Sequence, residues 1–154
     1  MLSKEEIKEI NEEIKLFQIR KAACIEALKV VQKHHGWVSD EHIEDLARLL
    51  RMSPDEIDNV ATFYNLVFRK PVGRHVILVC DSVSCYIMGY EWILKHLIDR
   101  LGISYGETTG DNRFTLLPIP CLGTCDHAPA LMIDHDLHRD LTIENIDTIL
   151  SKYK

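Results

Sequence analysis

The sequence is first informative for what it lacks. No apolar run approaches the roughly 18 residues that a membrane span requires. The opening Met1-Leu2-Ser3-Lys4-Glu5-Glu6 has no apolar segment of a secretory signal, and the first 19 residues contain no arginine, unlike a transit peptide. The expectation is a cytoplasmic chain, peripheral to the inner membrane if bacterial, or a matrix chain that has lost a presequence. An excess of positive charge is also missing. Eighteen Lys and Arg stand against 24 Asp and Glu, a net charge of −6, so the chain does not read as a nucleic-acid binder. No G-x-G-x-x-G and no P-loop is found, which argues against direct binding of nucleotide or flavin. There is no C-x-x-C pair and no repeat. Five cysteines remain, an odd number, and in a reducing compartment they read as metal ligands or redox groups rather than disulfides.

A length of 154 residues fits one domain, or one domain with a helical annex, and is large enough to bury a core. Residues 1–70 read as about four helices. Ser3 and Glu6 form a capping box ahead of an apolar stripe of Ile7, Ile10, Ile14 and Phe17. A second helix is predicted over Lys21–His35, with Ile25, Leu28 and Val31 inward and Gly36 as a left-handed stop. A third covers Asp40–Leu50 through Ile43, Leu46, Ala47 and Leu50. The fourth opens with Ser53 as N-cap, Pro54 in the first turn and Glu56 closing a second box, and shows Ile57, Val60, Ala61 and Tyr64 on one face.

The pattern changes near Arg69–Arg74. His75–Val79 is a short β-branched run that reads as a buried strand. After a loop, Tyr90–Leu101 is helical, with Ile93, Leu94, Leu97, Ile98 and Leu101 inward and Gly102 as its stop. Strands are predicted at Arg113–Leu117, Ala130–Asp134 and Leu137–Leu141. Thr142 caps a last helix whose stripe is Ile143, Ile146, Ile149, Leu150 and Tyr153. Residues 71–154 thus read as a layered α/β domain with a crossover.

Four cysteines fall in this second part as Cys80-x₄-Cys85 and Cys121-x₃-Cys125, each pair following the end of a predicted strand. That edge of a sheet is where open α/β folds place ligands. If the two strands are neighbours, the four sulfurs converge. A structural zinc site wants four thiolates but usually with shorter gaps, whereas a [2Fe-2S] cluster tolerates wider ones; spacing alone leaves both open.

The two cysteine pairs with Gly123 inside the second, Val60-Ala61-Thr62-Phe63-Tyr64 on the fourth helix, and Ala128-Pro129 behind Cys125 resemble the thioredoxin-like [2Fe-2S] ferredoxins, and among them the family of the NADH-quinone oxidoreductase E subunits. The resemblance runs from about Ile14 to Tyr153. It implies a thioredoxin-like fold and one [2Fe-2S] cluster held by Cys80, Cys85, Cys121 and Cys125. It also implies a place beside the flavoprotein subunit that binds NADH and FMN, and beside other subunits of the peripheral arm of complex I. The same kind of chain would serve an NAD-linked hydrogenase or formate dehydrogenase; a zinc-stabilised module without redox chemistry is the contrasting reading. His127 departs from the small or polar residues usual at its place in the family.

Reducing such a centre adds negative charge, which donors from Gly123, Ser82, Ser84 and Thr124, and the helix after Cys85, would favour and Asp81 and Asp126 oppose. Other groups have plainer readings: Cys24 as packing, His34 and His35 as helix C-terminal cations, and Glu5–Glu13 as a solvated face. His127, His135 and His138 evoke a Rieske-type site that the four cysteines make unnecessary. Phe63, Tyr64 and Phe68 divide between core and partner-binding strip.

Overall fold

The computed structural model describes residues 1–154, which form two compact units, Met1–Pro71 and Val72–Lys154. No helix is long and apolar enough to cross a membrane.

The first unit packs α1 (Lys4–Lys15), α2 (Cys24–His35), α3 (Asp40–Leu50) and α4 (Pro54–Phe63) around Ile10, Leu28, Leu46, Leu50 and Ile57, all fully buried. Burying each such side chain contributes roughly 1.5–3 kcal/mol. Ser3 and Ser53 start α1 and α4 through the capping boxes with Glu6 and Glu56. A third box starts α3: the Ser39 hydroxyl accepts from the His42 amide at 3.3 Å, and His42 Nδ1 accepts from the Ser39 amide at 3.2 Å. Histidine in that role escapes a sequence rule written for Glu and Gln. Gly36 ends α2 at φ +78°, whereas Arg51 takes the left-handed cap of α3.

Several expected faces shift. On α1 the inward row is Glu6, Ile10 and Ile14, while Ile7 is exposed and Phe17 lies beyond the helix end at Leu16. Glu6 displaces Ile7 because its carboxylate has partners inside: Oε2 accepts from the Ser3 amide at 2.8 Å, and Oε1 meets His35 Nε2 at 2.8 Å. His35 and His34 therefore pair with Glu6 and Glu9 rather than capping α2. A 3₁₀ turn over Arg20–Ala23 delays α2 to Cys24, and Ile25 is only half-buried. Backbone at Tyr64 turns extended, so α4 stops at Phe63; Phe63 (79% exposed) and Tyr64 face solvent, and Val60 is half-buried.

The second unit is a four-stranded sheet in the order β2-β1-β3-β4, built from β1 (His75–Cys80), β2 (Phe114–Ile119), β3 (Leu131–Ile133) and β4 (Asp136–His138). β1 and β2 are parallel, and β1–β3 and β3–β4 antiparallel. The crossover from β1 to β2 contains α5 (Val83–Ile87) and α6 (Tyr90–Leu101), and α7 (Ile143–Leu150) closes the unit. Ile77, Leu97, Leu116, Leu131, Ile133 and Ile146 are its buried centre.

Here too the structure corrects the pattern. β2 runs through Pro118 to Ile119, because an edge strand tolerates a residue without an N–H. β3 is shorter than predicted, and β4 lies at Asp136–His138 rather than Leu137–Leu141. The hairpin turns at Asp134, which adopts φ +54° and whose Oδ1 accepts from the Val76 amide at 2.9 Å. Ile143 is exposed in the first turn of α7. Tyr153 is buried beyond the end of that helix, held by Asp136 Oδ2 at 2.9 Å, His138 Nε2 at 2.8 Å and the Arg113 guanidinium on its carbonyl.

Candidate metal centre

Parallel pairing of β1 with β2 puts Cys80 opposite Ile119, so both cysteine loops leave the sheet at the same end. Cys80 is the last residue of β1; its amide donates to the Ala130 carbonyl at 3.1 Å. Cys85 lies inside α5, not in a loop as the sequence pattern predicts, and five residues are too few for a helical period to show. Ser82 precedes that short helix without a side-chain capping bond. The longer α6 begins only at Tyr90, after a left-handed Gly89, so its N-terminus is not the one adjoining Cys85. Cys121 and Cys125 flank the turn after β2, their sulfurs 3.7 Å apart.

The two pairs differ in surroundings. Cys80 and Cys85 are each 2% exposed; Cys121 and Cys125 are exposed. Burial pushes the Cys85 thiol up to about 11, and Cys80 and Cys125 add to it against the Ala130 amide. The Gly123 amide, 3.3 Å from Cys121 Sγ, holds the Cys121 thiol below its ordinary value, helped by Cys125, Ser82 and Cys80. Cys125 is pushed up, first by Cys121, with Ser84 acting the other way. Each of these three thiols thus responds to Cys80 and to one further cysteine. Gly123, at φ +74°, provides the left-handed backbone that the turn needs.

Thr124, between Gly123 and Cys125, is 8% exposed, and its hydroxyl has no partner. A buried hydroxyl without an acceptor is costly, so this one marks room for a group that accepts hydrogen bonds. Four soft sulfur donors, amides aimed at sulfur and an unused buried hydroxyl fit an iron–sulfur group by their chemistry. The Tyr105 hydroxyl is likewise buried without a partner, within the field of Asp81 and Cys80.

The remaining candidates go elsewhere. Asp81 and Asp126 are exposed, where water weakens their opposition to added negative charge. His127 turns outward, its Nδ1 2.9 Å from Asp140 Oδ2. His138 bonds Tyr153, and His135 is exposed in the β3–β4 turn, so the three histidines form no common site. Cys24 is packed in the helical core, and burial pushes its thiol up to about 11.

The model of the thioredoxin-like [2Fe-2S] ferredoxin family matches residues 8–154. The chain belongs to that family. Within this ferredoxin family, the NADH-quinone oxidoreductase E subunit of Escherichia coli is 50% identical over 153 residues, 99% of this chain and 92% of that protein. Its counterpart of the same name in Buchnera aphidicola subsp. Acyrthosiphon pisum is 49% identical over 153 residues, 99% of this chain and 94% of that one. Among solved structures, an NAD+-reducing [NiFe]-hydrogenase superposes with a TM-score of 0.69 at 26% identity, covering 81% of this chain and 21% of the hydrogenase chain.

Proposed function

We propose that the chain is the electron-transferring E subunit of an NADH-quinone oxidoreductase and that Cys80, Cys85, Cys121 and Cys125 hold its one [2Fe-2S] cluster. The observation that carries the reading is the delivery of two cysteine loops to one end of the parallel β1–β2 pair, in a chain matched by the ferredoxin family over residues 8–154. When bound, such a group accepts and releases one electron at a time, which suits a position between a flavin reduced by hydride and single-electron carriers. The chain's own residues hold and insulate it. Buried Cys80 and Cys85 sit inward, the Gly123 and Ala130 amides face sulfur, and Ser82 and Ser84 lie against Cys121 and Cys125. These donors spread negative charge that burial would otherwise penalise. The chain supplies no substrate site of its own; NADH and FMN belong to the neighbouring flavoprotein subunit, with other peripheral-arm subunits alongside. The complex would place it on the cytoplasmic side of a bacterial inner membrane, or on the matrix side in a mitochondrion.

The hydrogenase likeness favours a second reading, the same centre in an NAD-linked hydrogenase. Length argues for the first: the chain covers 92% of the E. coli relative but spans only about a fifth of the hydrogenase chain. Anaerobic purification tests the proposal. The protein should be red-brown, carry iron and sulfide in equal amounts, show an EPR signal on dithionite reduction, and co-purify with an FMN-containing subunit. A colourless preparation loaded with zinc would falsify it, and co-purification with a nickel-containing subunit would transfer the chain to the hydrogenase reading.

A further inference from the structure

We propose that the Thr124 hydroxyl donates a hydrogen bond to the iron–sulfur group and thereby strengthens that group's hold on an added electron. The inference rests on the reading that the four cysteines carry a [2Fe-2S] cluster. Two threonines of the second unit are buried, and the contrast between them points to Thr124. Thr115 has its hydroxyl fully used, accepting from the Gly73 amide at 2.6 Å and sharing a 2.7 Å bond with Thr108. Thr124 is 8% exposed and its hydroxyl meets no donor or acceptor of the chain. Its backbone is committed, because its carbonyl accepts from the His127 amide at 3.0 Å. The loop is thus tied down while the side chain is left with nothing to bond.

Position supplies the missing partner. Thr124 lies directly between the turn at Gly123 and Cys125, with the Cys121 and Cys125 sulfurs 3.7 Å apart around it in sequence. Two other hydroxyls of the neighbourhood, on Ser82 and Ser84, already act on Cys121 and Cys125. The cysteine sulfurs of the exposed pair are therefore served, and the unspent donor is matched to sulfur of the group itself. Sulfur carries more negative charge after the group takes up an electron, so a donor aimed at it favours the reduced form. Hydrogen bonds to the sulfurs are among the terms that set the potential of such centres. Thr124 does not exchange electrons; it sets how readily the exchange runs.

The test compares the full chain with Thr124→Val, Thr124→Ala and Thr124→Ser, each loaded anaerobically with iron and sulfide. The fraction reduced is read by EPR during a dithionite titration against potential, and exchangeable protons are read by deuterium ENDOR after transfer to D₂O. Thr124→Val should load iron and sulfide as the parent does. At a fixed solution potential its reduced-to-oxidised ratio should fall about tenfold, about 59 mV for one electron, and one exchangeable deuteron coupling should vanish. Thr124→Ser should restore both, which a merely space-filling role would not allow. Thr124→Ala gives the same hydroxyl-free comparison where valine prevents loading. An unchanged ratio with the full set of deuteron couplings in the loaded hydroxyl-free variant overturns the proposal and leaves the ligand assignment standing. A parent chain that takes up no iron and sulfide overturns the ligand assignment itself, and this inference with it.

Discussion

Cys24 in the helical unit and Cys85 in the α/β unit are both buried thiols, and burial pushes both up to about 11. Burial therefore does not tell a packing cysteine from a ligand. Their neighbours do. Cys24 is enclosed by Ala23, Ala27 and the rest of an apolar core, with a carboxylate, Glu56, as the one charged group acting on it. Cys85 is acted on by Cys80 and Cys125. The same division runs through the other polar groups. In the helical unit they serve the fold: Glu6 and His35 join α1 to α2, and His42 caps α3. In the α/β unit, donors around the cysteine loops are aimed at sulfur, and Thr124 has no structural employment at all.

Removing sulfur from each region should give the largest contrast. Cys85→Ser should retain less than about a tenth of the iron of the parent, since a buried serine is a poor replacement for a thiolate there. Cys121→Ser, at the exposed edge, should keep some cluster with an altered EPR spectrum. Cys24→Ser should leave iron, sulfide and spectrum intact while costing about 1–3 kcal/mol in denaturant unfolding, because its hydroxyl enters an apolar core. A spectrum that changes with Cys24 and not with Cys121 would dissolve the distinction between the regions.

Gly73→Ala probes the α/β unit without touching the cysteines. A Cβ there would come within 3.0 Å of the Arg113 carbonyl carbon and oxygen, backbone atoms with little room to yield. It should cost about 1–3 kcal/mol in urea unfolding, with the iron content of the folded protein unchanged.

The smallest effect concerns acid and the helical unit. Burial, then His35 and the N-terminal ammonium, hold His42 below its ordinary 6.5, against Glu6 and Asp45. Burial alone would raise Glu6, but the Ser3 amide and hydroxyl and His35 outweigh it and hold the carboxyl below 4.5. Both groups bind protons less readily folded than unfolded. Their stabilisation is full above the unfolded values and is lost as pH falls, from about 6.5 downward for His42 and from about 4.5 for Glu6. Protonated His42 also loses the ring nitrogen that accepts from Ser39. Circular dichroism melts of the full chain should therefore show stability falling between about pH 7.5 and 5.5, less steeply in His42→Gln; equal slopes would remove His42 as the cause.

Much of this organisation is local and hence readable before folding. Ser3, Ser53 with Pro54, and Thr142 mark helix starts because a cap needs only its own first turn. The limits of α3 and α6 follow from runs long enough to repeat a period. Where the reading fails, distant partners decide. Ile7 yields to Glu6 because His35 waits on another helix, and β4 moves because the Asp134 side chain holds Val76 across the sheet. α5 escapes detection because five residues cannot display a repeat, and Tyr153 is buried by Arg113, Asp136 and His138, all far from the helix period that suggested it.

The sequence by itself determined which residues carry soft donor chemistry, how they are spaced, and which segments coil or extend, since these depend on residue type and near neighbours. Only the tertiary structure decided that β1 and β2 lie side by side, that Cys80 and Cys85 are enclosed while Cys121 and Cys125 face water, and that Thr124 keeps a hydroxyl with nothing to bond. Those outcomes arise from contacts between segments 35 or more residues apart, for which no local pattern carries the information.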